Sequence, residues 1–272
     1  MPMTVPPRVR LLLLAIVFAV APLDAQQTQA PVPFEPSVGQ AGKDVVWVPT
    51  PPALVDAMLD LAKVTPADFL VDLGSGDGVT VITAAKRGVR ALGIEYDPRM
   101  VALARDNAEK ALVASRASFR QADLFATDFS DATVLTMFLL PSINLALRPT
   151  ILKMKPGTRV VTNTFTMGEW EPDEQRTISP CDRWCTALLW IVPAQVAGTW
   201  RLGGESLVLT QKFQVVSGML GSKPLIAGRL HAEDIRFEVG GTRYEGRVEG
   251  QRMRGTATTG ANRVEWTAAL QP

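Results

Sequence analysis

The sequence predicts an α/β chain. Its main part is a Rossmann-like, largely parallel sheet with helices on both faces, and a small antiparallel, all-β, barrel-like domain follows. Two observations carry this. From Phe69 to Asn163 short apolar strands alternate with stretches of helical spacing, the pattern of a parallel sheet with crossover helices. From about Ala197 helical spacing stops, and alternating runs broken by glycine take over, as in "SLVLTQKFQVVSGML" and "TRYEGRVEG". With 272 residues, 47% apolar and 20% charged, the chain can pack both units.

The first residues read as a leader. Arg8 and Arg10 precede the apolar run Leu11 to Val20, Pro22 breaks it, and cleavage is expected after Ala25. A spanning helix needs about 20 apolar residues, and this run is shorter. No cysteine follows the cleavage point, so no stable membrane anchor is expected after cleavage. The expected destination is the periplasm of a bacterium. Residues 26–43, rich in Pro, Gln and Ala, read as a tail or linker. The α/β domain is then expected over residues 44–195 and the β domain over 196–272. The chain without its leader carries no net charge, which gives nucleic acid no general electrostatic attraction.

Within the α/β part, Thr50 is expected to cap a first helix, with Pro51 in its first turn and Leu54, Val55, Met58, Leu59 and Leu61 on its buried face. Phe69 to Leu73 is a strand. Val79 to Arg87 is a helix stopped by Gly88. Ala91 to Tyr96 is a strand, Pro98 opens a helix to about Ala114, and Ala117 to Ala122 and Ala132 to Leu139 are strands. Asn144 to Met154 is a helix, Pro156-Gly157 a turn, and Thr158 to Asn163 a strand.

The stretch "VDLGSGDG", Val71 to Gly78, joins the first strand to its helix. Glycines there let a ligand lie against bare backbone. The dinucleotide fingerprint would need glycine at 79, where this chain has Val79, and the phosphate loop would need Lys-Ser/Thr after Gly78. Asp72 and Asp77 flank the turn, a poor setting for pyrophosphate and a good one for an amino group and a sulfonium. Glu95, ending the second strand, can accept both hydroxyls of a ribose, and Asp123, after the third, can take an adenine amino group. Acids after three successive strands mark the crevice where open α/β sheets bind ligands.

In order and spacing, "VDLGSGDG", "GIEYDP" and "ADLF" resemble class I S-adenosylmethionine-dependent methyltransferases, over about Asp44 to Pro193. Within that class, "VWVPTP" and "VLTMFLLP" are similar to small protein-lysine methyltransferases of mitochondria and their bacterial relatives. The resemblance implies S-adenosylmethionine as cofactor, Asp72, Gly74, Gly76 and Gly78 at its methionine end, Glu95 on the ribose and Asp123 on the adenine. It places Thr50 and Pro51 over the cofactor. The implied acceptor is a protein lysine, or else a small amine or soft nucleophile. The fourth strand lacks the Asn/Asp-Pro-Pro-aromatic motif of nucleobase and glutamine methylating enzymes. No catalytic base is assigned.

Two other readings stay open at this level: a small-molecule methyltransferase whose β domain closes over the pocket, and an exported nucleoside-binding protein without activity. Asp97 is expected to cap the helix opened by Pro98, and Asp77 to cap a helix or to bind ligand. Phe138 is expected in the core, and Trp170, Trp184 and Trp190 in the core or at the domain interface. Glu169, Glu171, Asp173 and Glu174 read as a solvated acidic loop. Cys181 and Cys185 could form a local disulfide. With the single His231 far from them, no metal site is expected.

Overall fold

Seven strands form one sheet, in which a single strand runs antiparallel to the rest. The computed structural model describes residues 1–4 and 34–272, so the expected leader, its cleavage point and residues 26–33 of the tail lie outside the described residues. The elements are α1 (Pro52–Leu61), β1 (Phe69–Leu73), α2 (Val79–Lys86), β2 (Arg90–Glu95), α3 (Pro98–Lys110), β3 (Ala117–Gln121), β4 (Val134–Met137), α4 (Pro141–Ile151), β5 (Arg159–Asn163), β6 (Glu174–Thr177) and β7 (Thr186–Ile191). The sheet order is β3-β2-β1-β4-β5-β7-β6, with β7 the antiparallel member, and it reverses direction between β1 and β4, which opens a crevice at the carboxyl ends of both.

Both faces of the sheet are covered. Leu54 and Met58 of α1, Val81 of α2 and Ala104 of α3 pack on one face. Ile143, Leu147 and Ile151 of α4 pack on the other, with Trp170 and Trp190. These two tryptophans are fully buried, and Trp190 Nε1 donates to the Trp170 carbonyl over 2.6 Å, as expected for core residues. Three local expectations are corrected. Pro51, not Thr50, takes the cap position of α1, because Pro52 fills the first helical position and the helix starts one residue later. α4 begins at Pro141 and ends at Ile151, about three residues before its expected start and end. Residues 34–43 are not a structureless tail. Gly39 N donates to the Trp47 carbonyl and Trp47 N to that of Gln40, each over 2.9 Å, which makes a small hairpin.

The C-terminal strands are β8 (Gly198–Leu202), β9 (Glu205–Lys212), β10 (Val215–Leu220), β11 (Lys223–Pro224), β12 (Ile226–His231), β13 (Asp234–Val239), β14 (Thr242–Glu249), β15 (Arg252–Thr259) and β16 (Asn262–Leu270). Each long strand pairs antiparallel with the next, β16 returns to β8, and β9 pairs with β10, so eight strands close into a barrel with the two-residue β11 outside. Alternate residues point inward, and Trp200, Leu230, Phe237, Met253 and Trp266 fill the interior.

The barrel is seated on the α4 face. Phe213, in the β9–β10 turn, stacks on Trp170 at 5.8 Å, and the Arg148 guanidinium lies 5.1 Å from its ring centre. Arg229 pairs with Asp173 at 2.9 Å, and Gln214 Nε2 donates to the Glu171 carbonyl over 2.9 Å. The acidic run therefore does not form one solvated loop. Asp173 is 7% exposed and serves as a docking point, while Glu169 stays largely exposed. Ala194 N donates to the Ala232 carbonyl at the junction.

Candidate active site

The crevice at the β1 and β4 ends is lined by Thr50, Asp72, Gly74, Gly76, Glu95 and Asp123, so six of the seven residues expected to hold a cofactor meet in one cleft. Asp77 lines it too, while its Oδ1 accepts from Val79 N at 3.3 Å. It is therefore a wall of the cleft that also takes the first N–H of α2, while Gly78 holds the cap position itself. Gly78 is the exception. It starts α2 with φ +85°, and a Cβ there would meet Phe119 at 2.7 Å and Ala104 at 3.0 Å. Its missing side chain lets α2 pack against β3 and α3, so its role is packing rather than lining.

Gly76 has φ +53°, and its N–H donates to Glu95 Oε2 over 2.9 Å. Glu95 Oε1 accepts from Tyr96 N at 2.7 Å and Asp97 N at 2.9 Å. These three backbone donors fix the carboxylate at the strand end, fill Oε1 and leave one acceptor site on Oε2. Asp97 caps α3 as expected, accepting from Arg99 N at 2.9 Å.

Asp72 is the electrostatic centre. It is 6% exposed, and Thr136, its register partner on β4, donates to Oδ1 over 2.6 Å. Burial pushes its carboxyl up to about 7, the Thr136 hydroxyl opposes that shift, and Glu95 and Asp77 add to it. Burial also raises Asp77. A buried acid with like charges beside it calls for a cation. The Ser75 hydroxyl, also on the cleft, is buried without a partner. A ligand with an ammonium, a sulfonium and ribose hydroxyls matches this donor and acceptor set, and the bare turn at Gly74 and Gly76 lets it lie against main chain.

Residues not singled out from the sequence complete the site. The 39–47 hairpin lies over the cleft as a strap. Lys43 Nζ reaches Asp123 Oδ2 at 2.6 Å and sits 4.9 Å from the Tyr96 ring centre. This hydrogen bond raises the Lys43 ammonium and holds the Asp123 carboxyl below its ordinary value. Trp47 lies against Gly76. Phe138, expected in the core, is instead half-buried on the cleft wall. Strand β4 ends one residue earlier, at Met137, so Phe138 lies beyond the sheet's alternation. A second cavity adjoins the first and is lined by Asp44, Phe138, Leu140, Phe165 and Trp184. No residue after Trp184 lines either cavity, so the barrel does not close over the site. Cys181 and Cys185 are joined in a disulfide. Among the described residues, no group of three or more His, Cys, Asp or Glu is placed to hold a metal ion.

Comparison with known proteins agrees with this geometry. Residues 72–174 match the ANTKMT methyltransferase domain family. A protein-lysine N-methyltransferase of Saccharolobus islandicus is 45% identical over 133 residues, covering 48% of this chain and 83% of that protein. The adenine nucleotide translocase lysine N-methyltransferase of Mus musculus is 35% identical over 120 residues, covering 43% of this chain and 52% of its own length, so the chain spans about half of that relative. A crystal structure described as an RNA methyltransferase from Salinibacter ruber in complex with S-adenosyl-L-homocysteine is 48% identical, with a TM-score of 0.52, and the match covers 55% of this chain and 96% of that one. The cofactor is S-adenosylmethionine. The chain belongs to the family of class I S-adenosylmethionine-dependent methyltransferases of which the archaeal protein-lysine N-methyltransferase is a member.

Proposed function

We propose that the chain methylates the ε-amino group of lysine in a protein, and does so after export. One observation carries the acceptor class. Acids gather around the glycine turn, whereas the end of β4 offers Met137, Phe138 and Leu139 in place of the acid or amide that orients a nucleobase. An amine needs alignment and dryness more than a dedicated base. The similarity to the archaeal lysine methyltransferase supports the same class.

When bound, S-adenosylmethionine supplies a methyl group on a sulfonium; one N–C bond forms and one C–S bond breaks, its electron pair staying on sulfur. The chain's residues do the rest. Asp72 answers the cationic end, Glu95 offers its remaining Oε2 site to a ribose hydroxyl, and Asp123 accepts from the adenine amino group. Thr136 holds the Asp72 carboxylate in place, and the strap with Trp47 excludes water. The lysine must arrive neutral, its ammonium proton passing to solvent, before its lone pair lines up with the methyl group.

The Salinibacter protein's description raises RNA as the competing acceptor. The net charge of +1 and the acidic cleft argue against a nucleic-acid groove. A small-molecule role for a closing β domain loses its support, because the barrel contributes no wall. Labelled S-adenosylmethionine given with cell extract separates the readings. Label in protein that yields methyl-lysine on hydrolysis supports this one; label only in RNA or in small solutes overturns it.

Export is supported by Arg8 and Arg10 before the apolar run, and by the Cys181–Cys185 disulfide, since such bonds persist in oxidising compartments. Among the described residues no helix is long and apolar enough to cross a membrane. Sequencing the mature N-terminus should give Gln26 first; an N-terminus at Met1 overturns export.

A further inference from the structure

The second cavity shares Asp44, Phe138 and Leu139 with the cofactor cleft and extends it outward past Phe165 and Trp184. Residues of the strap and those just after β4 line both. Three half-buried aromatic rings form one wall of the outer cavity. Phe138 stacks on Phe165 at 5.9 Å, and Trp184 meets Phe138 edge-on at 5.7 Å. Asp44 brings a carboxylate to the same space; the Lys43 ammonium beside it lies 3.8 Å from Asp44 Oδ2 and is held more closely, at 2.6 Å, by Asp123.

Trp184 is held unusually. It has φ +54°, a left-handed conformation that costs a bulky residue and persists only where the surroundings impose it. The surroundings here are a loop between β6 and β7, closed by Cys181–Cys185 and by Ile178 N donating to the Cys185 carbonyl over 2.9 Å. Trp184 lies directly before one of the bridged cysteines and beyond residue 174, where the family match ends.

Resting on the lysine reading above, we propose that this cavity is the acceptor site for a primary amine on an unbranched apolar stem. Trp184 is its specificity-determining wall, and the Cys181–Cys185 disulfide is the device that positions it. Aromatic faces attract an ammonium and cover a methylene stem equally well, and Asp44 favours the cation on arrival. Disulfide reduction then weakens acceptor capture and leaves the cofactor site as it was.

The test uses Nα-acetyl-lysine methylamide as probe, with the purified full chain. Its binding to the protein loaded with S-adenosylhomocysteine is followed by calorimetry, and its methylation by label transfer. Trp184→Leu should raise KM for the probe at least tenfold, and Trp184→Phe should recover most of that loss. Cys181→Ser/Cys185→Ser should raise KM several-fold in the wild-type background and add little on top of Trp184→Leu. Cofactor affinity in all variants should stay within twofold, which also shows that they fold. An unchanged KM in Trp184→Leu overturns this inference and leaves lysine methylation standing. Probe binding without methyl transfer in the wild type overturns the function and leaves the site standing. A wild type that neither binds nor methylates the probe overturns the site as an amine pocket.

Discussion

Lys43 Nζ and Asp123 Oδ2 lie 2.6 Å apart across 80 positions of sequence, and this pair fastens the strap at the Asp123 end of the cleft. Asp123 Oδ1 meanwhile accepts from Phe125 N at 2.9 Å, and a carboxylate has lone pairs left for an adenine amino group. The latch and the ligand can therefore share the acid. Lys43→Ala should speed S-adenosylhomocysteine release several-fold in stopped-flow fluorescence. Combining it with Asp123→Ala should add less than the two single effects together, because both remove one contact. Additive effects would show that the latch does not act through Asp123.

Asp72 predicts a pH dependence. Its folded-state carboxyl lies near 7, above the ordinary 3.8, so the free protein holds a proton that the unfolded chain has released between those values. Stability of the free protein should fall as pH rises across that window, by an amount on the order of 4 kcal/mol at full ionisation. Cofactor affinity should move the other way. A cationic ligand prefers ionised Asp72, so binding should tighten about tenfold per pH unit up to about 7 and then level off. Asp72→Asn should flatten both profiles in calorimetry and thermal melts, and should weaken cofactor binding at pH 8.

Gly76→Ala should disable the site with little effect on the fold. A Cβ there would stand 2.7 Å from Trp47 Nε1, and an L-residue at φ +53° costs roughly 1–2 kcal/mol. The strap is the part that can yield. Cofactor affinity should drop at least tenfold while the melting temperature falls by only a few degrees. Retained affinity would mean that Trp47 does not press on the bound ligand.

Much of this arrangement was legible in the sequence because it is local. Strand ends, helix periodicity and the glycine turn place Asp72, Glu95 and Asp123 without any tertiary information. The strap was not legible. Residues 34–43 have the composition of a linker, and their order comes from Lys43 meeting Asp123 and Trp47 meeting Gly76, contacts that only the folded chain supplies. Thr136 needed the β1–β4 register to be recognised as the partner of Asp72. The resemblance places Gly78 with the lining glycines, and a motif does not tell a packing contact from a ligand contact. A large apolar residue such as Phe138 is expected in the core, and its position beyond the end of β4 leaves it on the cleft wall.

Phe213→Ala should loosen the barrel without touching chemistry. The ring stacks between Trp170 and Arg148, and removing a half-buried phenylalanine should cost about 2 kcal/mol. Calorimetric unfolding should broaden or split into two transitions, with cofactor affinity unchanged. A single sharp transition at the wild-type temperature would assign the seat to Arg229 and Asp173 instead.

The closed barrel has consequences beyond the reaction. Since β9 meets β10 and β16 meets β8, the eight long strands leave no unpaired edge to recruit stray strands, and only the two-residue β11 ends the sheet. Because no barrel residue lines either cavity, exchanging the barrel for another module should leave cofactor affinity where it was, so the two halves of the chain can vary separately.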